Sequence, residues 1–175
     1  MIVVRAKAGL SQQCLQLIKT TLNITNNICR HSNSVRLVQH IRYRQAERIE
    51  GYLSVGPNEG AEILTGGNRV AGDDFAGGHF FHPTVFGGVT DEMTIAREEI
   101  FGPVISAMPF DTLDEVVERA NATPYGLAAG IFSTHLGTAH KLAHRLKAGS
   151  VWVNMYHAID PAVPFGGMKM SGYGR

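Results

Sequence analysis

The fold is decided by a stretch in the second half of the chain, residues 104–154, which reads VISAMPFDTLDEVVERANATPYGLAAGIFSTHLGTAHKLAHRLKAGSVWVN. Its three short apolar runs, 104–110, 127–132 and 150–154, predict β-strands. The apolar residues between the first two runs recur at helical spacing: Leu113, Val116, Val117 and Ala120. Those between the second and third do the same: Ala139, Leu142, Ala143 and Leu146. This order of strand, helix, strand, helix and strand predicts an α/β fold, a partial Rossmann-like sheet of parallel βαβ units.

The ends of these two helices are marked by their flanking residues. Thr112 stands three residues before Glu115, which is the spacing of a capping box. Pro124 ends the first helix, and Gly149 ends the second. Near-continuous apolar strands predict a sheet covered on both faces. Ligands of such sheets bind at the carboxyl ends of the strands, so residues 160–167, after the last strand, are expected near a ligand.

The preceding part of the chain predicts further short elements. Apolar residues at helical spacing indicate a helix that stops soon after Pro57: Ala46, Ile49, Tyr52 and Leu53. Residues 61–64 predict a strand, and residues 68–79 predict a surface loop. Residues 80–86 also resemble a strand, with Pro83 at its edge or start because proline cannot donate to a ladder.

Composition narrows the class of protein. The 175 residues are 44% hydrophobic and 18% charged, which is typical of a globular protein. A net charge of +1 gives no reason to expect nucleic acid as a partner. No run reaches the roughly 20 apolar residues of a spanning helix, so no membrane association is expected. A cytoplasmic location follows by default, and an acid-free, Arg-containing start leaves a mitochondrial one open.

Charge divides the chain near residue 45. No acidic residue precedes Glu47, whereas seven Lys and Arg residues do, and both cysteines, Cys14 and Cys29, lie in the same part. We therefore predict a basic segment over residues 1–44 and a separate domain over residues 45–175.

A second stretch, REEIFGPV at residues 97–104, carries candidate chemistry. Glu99 and Phe101 lie two residues apart and share a side if the chain is extended there, and Gly102 with Pro103 indicates a turn. A carboxylate can accept hydrogen bonds from a ribose diol while an aromatic ring flanks a flat heterocycle. A helix-end acid and a core phenylalanine are the alternative reading.

Residues 93–104, MTIAREEIFGPV, resemble the motif of aldehyde dehydrogenases in which the second Glu holds the nicotinamide ribose. Further segments resemble the same family in the same order: 82–85, 121–130, 149–154 and the tail 164–175. The resemblance implies that Glu99 binds the ribose, that Phe101 packs near the nicotinamide, and that Phe165 lines the aldehyde tunnel. It implies the same cofactor contact for Gln45, for which a solvated helix residue is the alternative. The implied cofactor is NAD or NADP, and the implied substrate is an aldehyde.

The family reaction needs a nucleophilic cysteine, an oxyanion-stabilising asparagine and a glutamate base. The family pattern places all three upstream of Gln45, where residues 1–44 do not resemble it. Residues 11–14, SQQC, echo its Gly-Gln-x-Cys, but the distance from Cys14 to Gln45 is too short. We therefore predict no catalytic residue in this chain, and no metal ligand either, because His140 and His144 lack a third partner.

These observations favour a fragment of an aldehyde dehydrogenase, the C-terminal part of the catalytic domain, that is inactive alone. The family reaction oxidises an aldehyde to a carboxylic acid with NAD(P). Two alternatives stay open. One is a non-catalytic partner in a homo- or hetero-oligomer with aldehyde dehydrogenase subunits. The other is a non-functional product of a truncated gene.

Overall fold

The computed structural model describes residues 2–6, 39–156 and 158–174. The predictions for the basic segment and for Cys14 and Cys29 fall largely or wholly outside these residues. The described residues form two compact units, a first that ends at Pro109 and a second that begins at Phe110. The division of the chain near residue 45 stays a prediction.

Among the described residues, the first unit contains a mixed four-stranded sheet, a two-stranded antiparallel sheet and two helices. Its strands are β1 (Ile2–Ala6), β2 (Gln39–Ile41), β3 (Glu62–Thr65), β4 (His79–Phe81), β5 (Thr84–Gly87) and β6 (Val104–Phe110), whose last residue opens the second unit. Its helices are α1 (Tyr43–Asn58) and α2 (Thr94–Arg97), and a 3₁₀ turn spans Asp73–Phe75. Four strands form one sheet in the order β1-β6-β5-β3, and β2 pairs with β4.

The β5 and β6 strands are parallel, with Thr84 opposite Val104, while β3 runs antiparallel to β5. The chain between β5 and β6 carries α2, so this pair has the crossover that parallel strands require. The run 80–86 is therefore two strands rather than one. Pro83 lies in the break and directly precedes β5, which agrees with its lack of an N–H donor.

The core of the first unit lies under α1. The predicted apolar face is confirmed, since Ala46, Ile49, Tyr52 and Leu53 are all buried. They pack in one cluster with buried residues of the strands, of α2 and of the chain on either side of α2: Phe81, Phe86, Met93, Ile95, Ala96, Ile100, Val104 and Met108. The helix ends at Asn58, one residue after Pro57. This core determines which face of α1 meets the chain that follows α2.

The second unit is built around a parallel βαβ unit, as the sequence predicts. It contains α3 (Leu113–Ala122), β7 (Ala128–Ile131), α4 (Leu136–Arg145), β8 (Ser150–Val153) and a 3₁₀ turn (Lys169–Ser171). The β7 and β8 strands are parallel, and the capping box of α3 is confirmed, with both Thr112 and Glu115 making their reciprocal hydrogen bonds.

Burial in the second unit is lower than the sequence predicts. On α3, Val117 is buried, but Leu113, in the first turn, is exposed. All four β8 residues are half-buried. Among the described residues this sheet has two strands, fewer than most sheets, and such a pair offers little apolar surface for burial. Among the described residues, no helix is both long enough and apolar enough to span a membrane.

Candidate functional site

Residues 98–102, called here the 98–102 segment, follow α2. Glu98 has extended backbone angles, with φ −108° and ψ 149°. Ile100 is buried, whereas Glu99 is exposed and Phe101 has 74% of its surface exposed. The segment therefore presents two carboxylates, those of Glu98 and Glu99, and an aromatic ring to the outside, while Ile100 anchors it in the core.

Phe101 has a positive φ of 57°, which side chains other than glycine rarely adopt. Such a conformation costs about 1–2 kcal/mol and persists only where surrounding contacts maintain it. The α1 helix supplies those contacts. The side-chain amide of Gln45 donates to the carbonyl oxygen of Ile100 at 2.9 Å and also to that of Phe101. The Arg48 guanidinium donates to the carbonyl oxygen of Glu99.

One further hydrogen bond from α1 reaches a side chain of the segment. The Tyr52 hydroxyl donates to Oε2 of Glu98 at 2.7 Å. This bond to a carboxylate raises the pKa of Tyr52, and burial of the hydroxyl raises it further. Gln45, Arg48 and Tyr52 lie at i, i+3 and i+7, so they share the helix face that the segment lies against.

Gly102 allows the segment to approach α1 this closely. A Cβ at this position would lie 2.6 Å from Cδ1 and 2.7 Å from Cγ1 of Ile49, both too short for carbon atoms. Ile49 is fully buried. Gly102 is thus needed for close packing against Ile49 as well as for the turn that it forms with Pro103.

The structure brings together three of the four predicted site residues. Glu99, Phe101 and Gln45 meet in the first unit, where the Gln45 amide contacts the Phe101 carbonyl directly. Sequence reasoning did not single out Arg48 or identify the hydrogen bond of Tyr52. The helical spacing from Gln45 places both residues on the same face of α1, but the segment that they contact lies about 50 residues away in the sequence.

Phe165 belongs to the second unit and has 45% of its surface exposed. The chain after β8 starts at the carboxyl end of that strand, where the Trp152 indole donates to the carbonyl oxygen of Ala158 at 2.8 Å. It then returns to the amino end. A Cβ on Gly149, just before β8, would lie 1.7 Å from the carbonyl oxygen of Gly166.

The prediction that all of residues 160–167 follow the carboxyl ends of the strands therefore differs from the structure. Backbone hydrogen bonds explain the return. The Met168 amide donates to the Gly126 carbonyl oxygen at 2.8 Å, and that of Met170 donates to the Pro124 carbonyl oxygen at 3.0 Å. The Lys169 ammonium donates to the carbonyl oxygens of Asn121 and Thr123. Phe165 thus precedes a firmly anchored stretch.

Asn154 marks the carboxyl end of the βαβ unit. Its side chain accepts from the Ser133 amide at 2.9 Å and donates to the Ser133 carbonyl oxygen at 3.0 Å. Its φ of 55° is one that asparagine tolerates better than most residues. The two hydrogen bonds join the chain beyond β7 to the chain beyond β8.

His140 and His144 lie on α4 and are exposed. Within the described ranges, no three His, Cys, Asp or Glu residues are grouped closely enough to hold a metal ion. The two cysteines, His31 and His157 lie outside those ranges.

The model of the aldehyde dehydrogenase family matches residues 9–175. The expectation that residues 1–44 do not resemble the family is therefore wrong for residues 9–44. The chain belongs to the aldehyde dehydrogenase family. It is 54% identical over 131 residues to the putative aldehyde dehydrogenase DhaS of Bacillus subtilis, an alignment that covers 75% of this chain and 26% of that protein.

Two solved aldehyde dehydrogenases give the structural comparison. The indole-3-acetaldehyde dehydrogenase AldA of P. syringae, in complex with NAD⁺ and IAA, has 45% identity and a TM-score of 0.70, over 75% of this chain and 26% of its own. An aldehyde dehydrogenase of Bacillus cereus in complex with NAD⁺ has 38% identity and a TM-score of 0.77, over 99% of this chain and 34% of its own. The chain thus spans about a quarter to a third of the length of these family members, and the predicted α/β fold is confirmed.

Proposed function

We propose that this chain supplies the nicotinamide-ribose contacts of an aldehyde dehydrogenase. In this proposal the Glu99 carboxylate accepts hydrogen bonds from the ribose hydroxyls of NAD or NADP, and the Phe101 ring lies against the nicotinamide. The observation that carries the proposal is the 98–102 segment, in which both side chains are exposed on a backbone bound to α1.

The exposed side chains of Glu99 and Phe101 belong to a backbone that hydrogen bonds from α1 hold in place. A binding site gains affinity when its groups are ordered before the ligand arrives. The Arg48 and Gln45 side chains order the carbonyl groups of Glu99 and Ile100, so little conformational entropy remains to be lost there. The NAD⁺ bound in the two solved relatives supports the choice of cofactor. Gln45 is also proposed to contact the ribose of the cofactor.

Phe165 is proposed to line the path of the aldehyde. Its ring is half exposed, and the residues that follow it are anchored by Gly126 and by Lys169. Oxidation of an aldehyde to a carboxylic acid is the reaction proposed for the full-length protein of which this chain would form a part.

The chain by itself is proposed to be inactive. The reaction needs a thiolate to attack the aldehyde, donors for the oxyanion and a base for thioester hydrolysis. The residues assigned here bind the cofactor and the substrate instead. Incubation of the chain with NAD or NADP and a panel of aldehydes should produce no reduced cofactor. Turnover that Cys14→Ala abolishes would contradict this expectation and would identify the nucleophile.

Cofactor binding tests the proposal directly. Titration of the chain with NAD, and separately with NADP, should shift the nicotinamide and ribose proton resonances of the cofactor. Glu99→Gln should weaken binding roughly tenfold, because a hydrogen bond to a carboxylate is stronger than one to a neutral amide.

Glu118→Gln is the matched control, since it removes an exposed carboxylate on α3 and should leave the affinity unchanged. Equal affinities of the Glu99→Gln variant and the unsubstituted chain would refute the role of Glu99.

A second candidate function is that of a non-catalytic partner of full-length aldehyde dehydrogenase subunits. It is favoured by large apolar side chains exposed on the second unit: Met155, Ile159, Val163, Phe165 and Met170. Exposed apolar surface of this kind is typical of protein–protein contacts. Co-purification with a full-length enzyme at a defined stoichiometry would support it, and a monomer in the presence of that enzyme would contradict it.

A further inference from the structure

Two carboxylates stand side by side in the 98–102 segment, and the residue types alone do not say which one faces a ligand. The structure distinguishes them. Glu98 accepts a hydrogen bond from the Tyr52 hydroxyl at 2.7 Å, on the side of α1. Glu99 contacts α1 through its backbone carbonyl, which accepts from Arg48.

We propose that Tyr52 is a positioning residue that retains Glu98 against α1 and thereby assigns the cofactor contact to Glu99. This inference rests on the proposed function, in which Glu99 binds the ribose. Tyr52 is not a catalytic residue, since it acts through the orientation of the segment.

The first support is the alternation of an extended chain. Successive side chains of extended backbone point to opposite sides. Since Glu98 has extended angles, a bond that draws its carboxylate toward α1 directs the Glu99 side chain away from the helix. The burial of Ile100 reinforces the same orientation.

The second support is the rigidity of Tyr52 itself. Only 9% of its surface is exposed, and its ring packs in the core cluster of the first unit. The hydroxyl is therefore held in one place, and an Arg48 nitrogen lies 3.3 Å from it as a donor. Arg48 also donates to the Glu99 carbonyl oxygen, so a single connected set of bonds orients both glutamates.

The third support is the order of contacts along α1. Glu59, which caps the carboxyl end of the helix, accepts from the Thr94 amide at 2.7 Å and from the Thr94 hydroxyl at 2.5 Å. Going back along the helix, Tyr52 meets Glu98 and Gln45 meets Phe101. The helix and the chain from residue 94 to residue 101 therefore run antiparallel, and Tyr52 provides the central side-chain contact between them.

The experiment uses the full chain and two readouts, the affinity for NAD and the hydrogen-exchange rate of the Glu98 amide, which donates to the Thr94 carbonyl oxygen at 3.0 Å. Tyr52→Phe should weaken NAD binding about three- to tenfold, the effect of one lost hydrogen bond, and should accelerate exchange. Glu98→Ala removes the same bond from its other end and should have the same effects, and the double variant should be no weaker than either single one.

Two further variants separate positioning from general damage to the fold. Glu98→Gln keeps a neutral acceptor for the Tyr52 hydroxyl, so its loss of affinity and its acceleration of exchange should both be smaller than those of Glu98→Ala. Tyr43→Phe removes the hydroxyl of an exposed tyrosine on the same helix and should change neither. Glu98→Ala should also lower the pKa of Tyr52, visible in the alkaline absorbance titration, because the bond to Glu98 is the largest cause of its elevation.

The outcomes distinguish this inference from the proposed function. Unchanged exchange in Tyr52→Phe, or additive losses in the double variant, would overturn the inference while NAD binding by the unsubstituted chain still supported the function of Glu99. Faster exchange in both single variants, with no cofactor bound by the unsubstituted chain, would overturn the proposed function and support the positioning of Glu98 by Tyr52.

Discussion

The close contact between Gly102 and Ile49 predicts that Gly102→Ala destabilises the first unit. The added Cβ would lie 2.6 Å and 2.7 Å from two carbon atoms of Ile49. Because Ile49 is fully buried, its side chain has no open space into which to rotate. Overpacking of a core by one methyl group costs about 1–3 kcal/mol, and we expect a loss in this range in the free energy of unfolding.

A second substitution should relieve the strain. Ile49→Ala removes both Cδ1 and Cγ1, and by itself costs about 2–5 kcal/mol through the lost side chain and the cavity that it leaves. Combined with Gly102→Ala, it opens space for the new Cβ. We therefore expect the double variant to lose about 1 kcal/mol less than the sum of the two single losses.

The assay is native-state hydrogen exchange of the α1 amides, which reports the opening free energy of the helix that carries Ile49. Gly51→Ala is the matched control, because a Cβ there has nothing within 4 Å and Gly51 lies inside the same helix. It should raise the opening free energy by about 0.5–1 kcal/mol through the better helix propensity of alanine. Losses that add within about 0.5 kcal/mol would refute the proposed contact, as would a neutral Gly102→Ala.

Two further predictions concern the turn before β8 and the charges beside α1. Gly149→Ala should displace the backbone at Gly166, because the carbonyl oxygen of Gly166 would lie 1.7 Å from the new Cβ. The amide resonances around Gly166 should therefore shift. Gly137→Ala is the control and should leave them unchanged, because a Cβ on Gly137 has nothing within 4 Å. The hydrogen bond from Arg69 lowers the pKa of Glu50, so its stabilising effect should be complete above the ordinary pKa of a glutamate and should disappear as the pH falls through the lowered value. Arg69→Gln should flatten this part of the stability profile measured by circular dichroism; an unaltered profile would contradict the assignment.

Local signals in the sequence were sufficient for much of the secondary structure. The capping box of α3 depends on two residues three positions apart, and the buried face of α1 depends on helical spacing, so both could be identified without tertiary information. The single strand predicted over residues 80–86 failed as one element because Pro83 interrupts it and leaves β4 and β5 separate.

The return of the chain after β8 was beyond sequence reasoning. It depends on Gly126 and Gly149, which meet the 166–168 backbone across about 20 to 40 residues. A glycine in the sequence indicates a turn equally well whether or not another backbone approaches it. The exposure of Leu113 was missed for a related reason, since the spacing of apolar residues says which side of a helix is apolar but not how much neighbouring surface is present to cover it.

The sequence by itself determined the family, the α/β class and the candidate residues Glu99, Phe101, Gln45 and Phe165. Residue types at short spacings carry that information, and several motifs in a fixed order make it specific. Only the tertiary structure decided that α1 binds the 98–102 segment, that the Glu98 carboxylate accepts a hydrogen bond from the helix, and that Glu99 contacts the helix through its backbone carbonyl. The physical reason is that hydrogen bonds between a helix and an extended chain 50 residues away depend on how the core packs, and no local pattern encodes that packing.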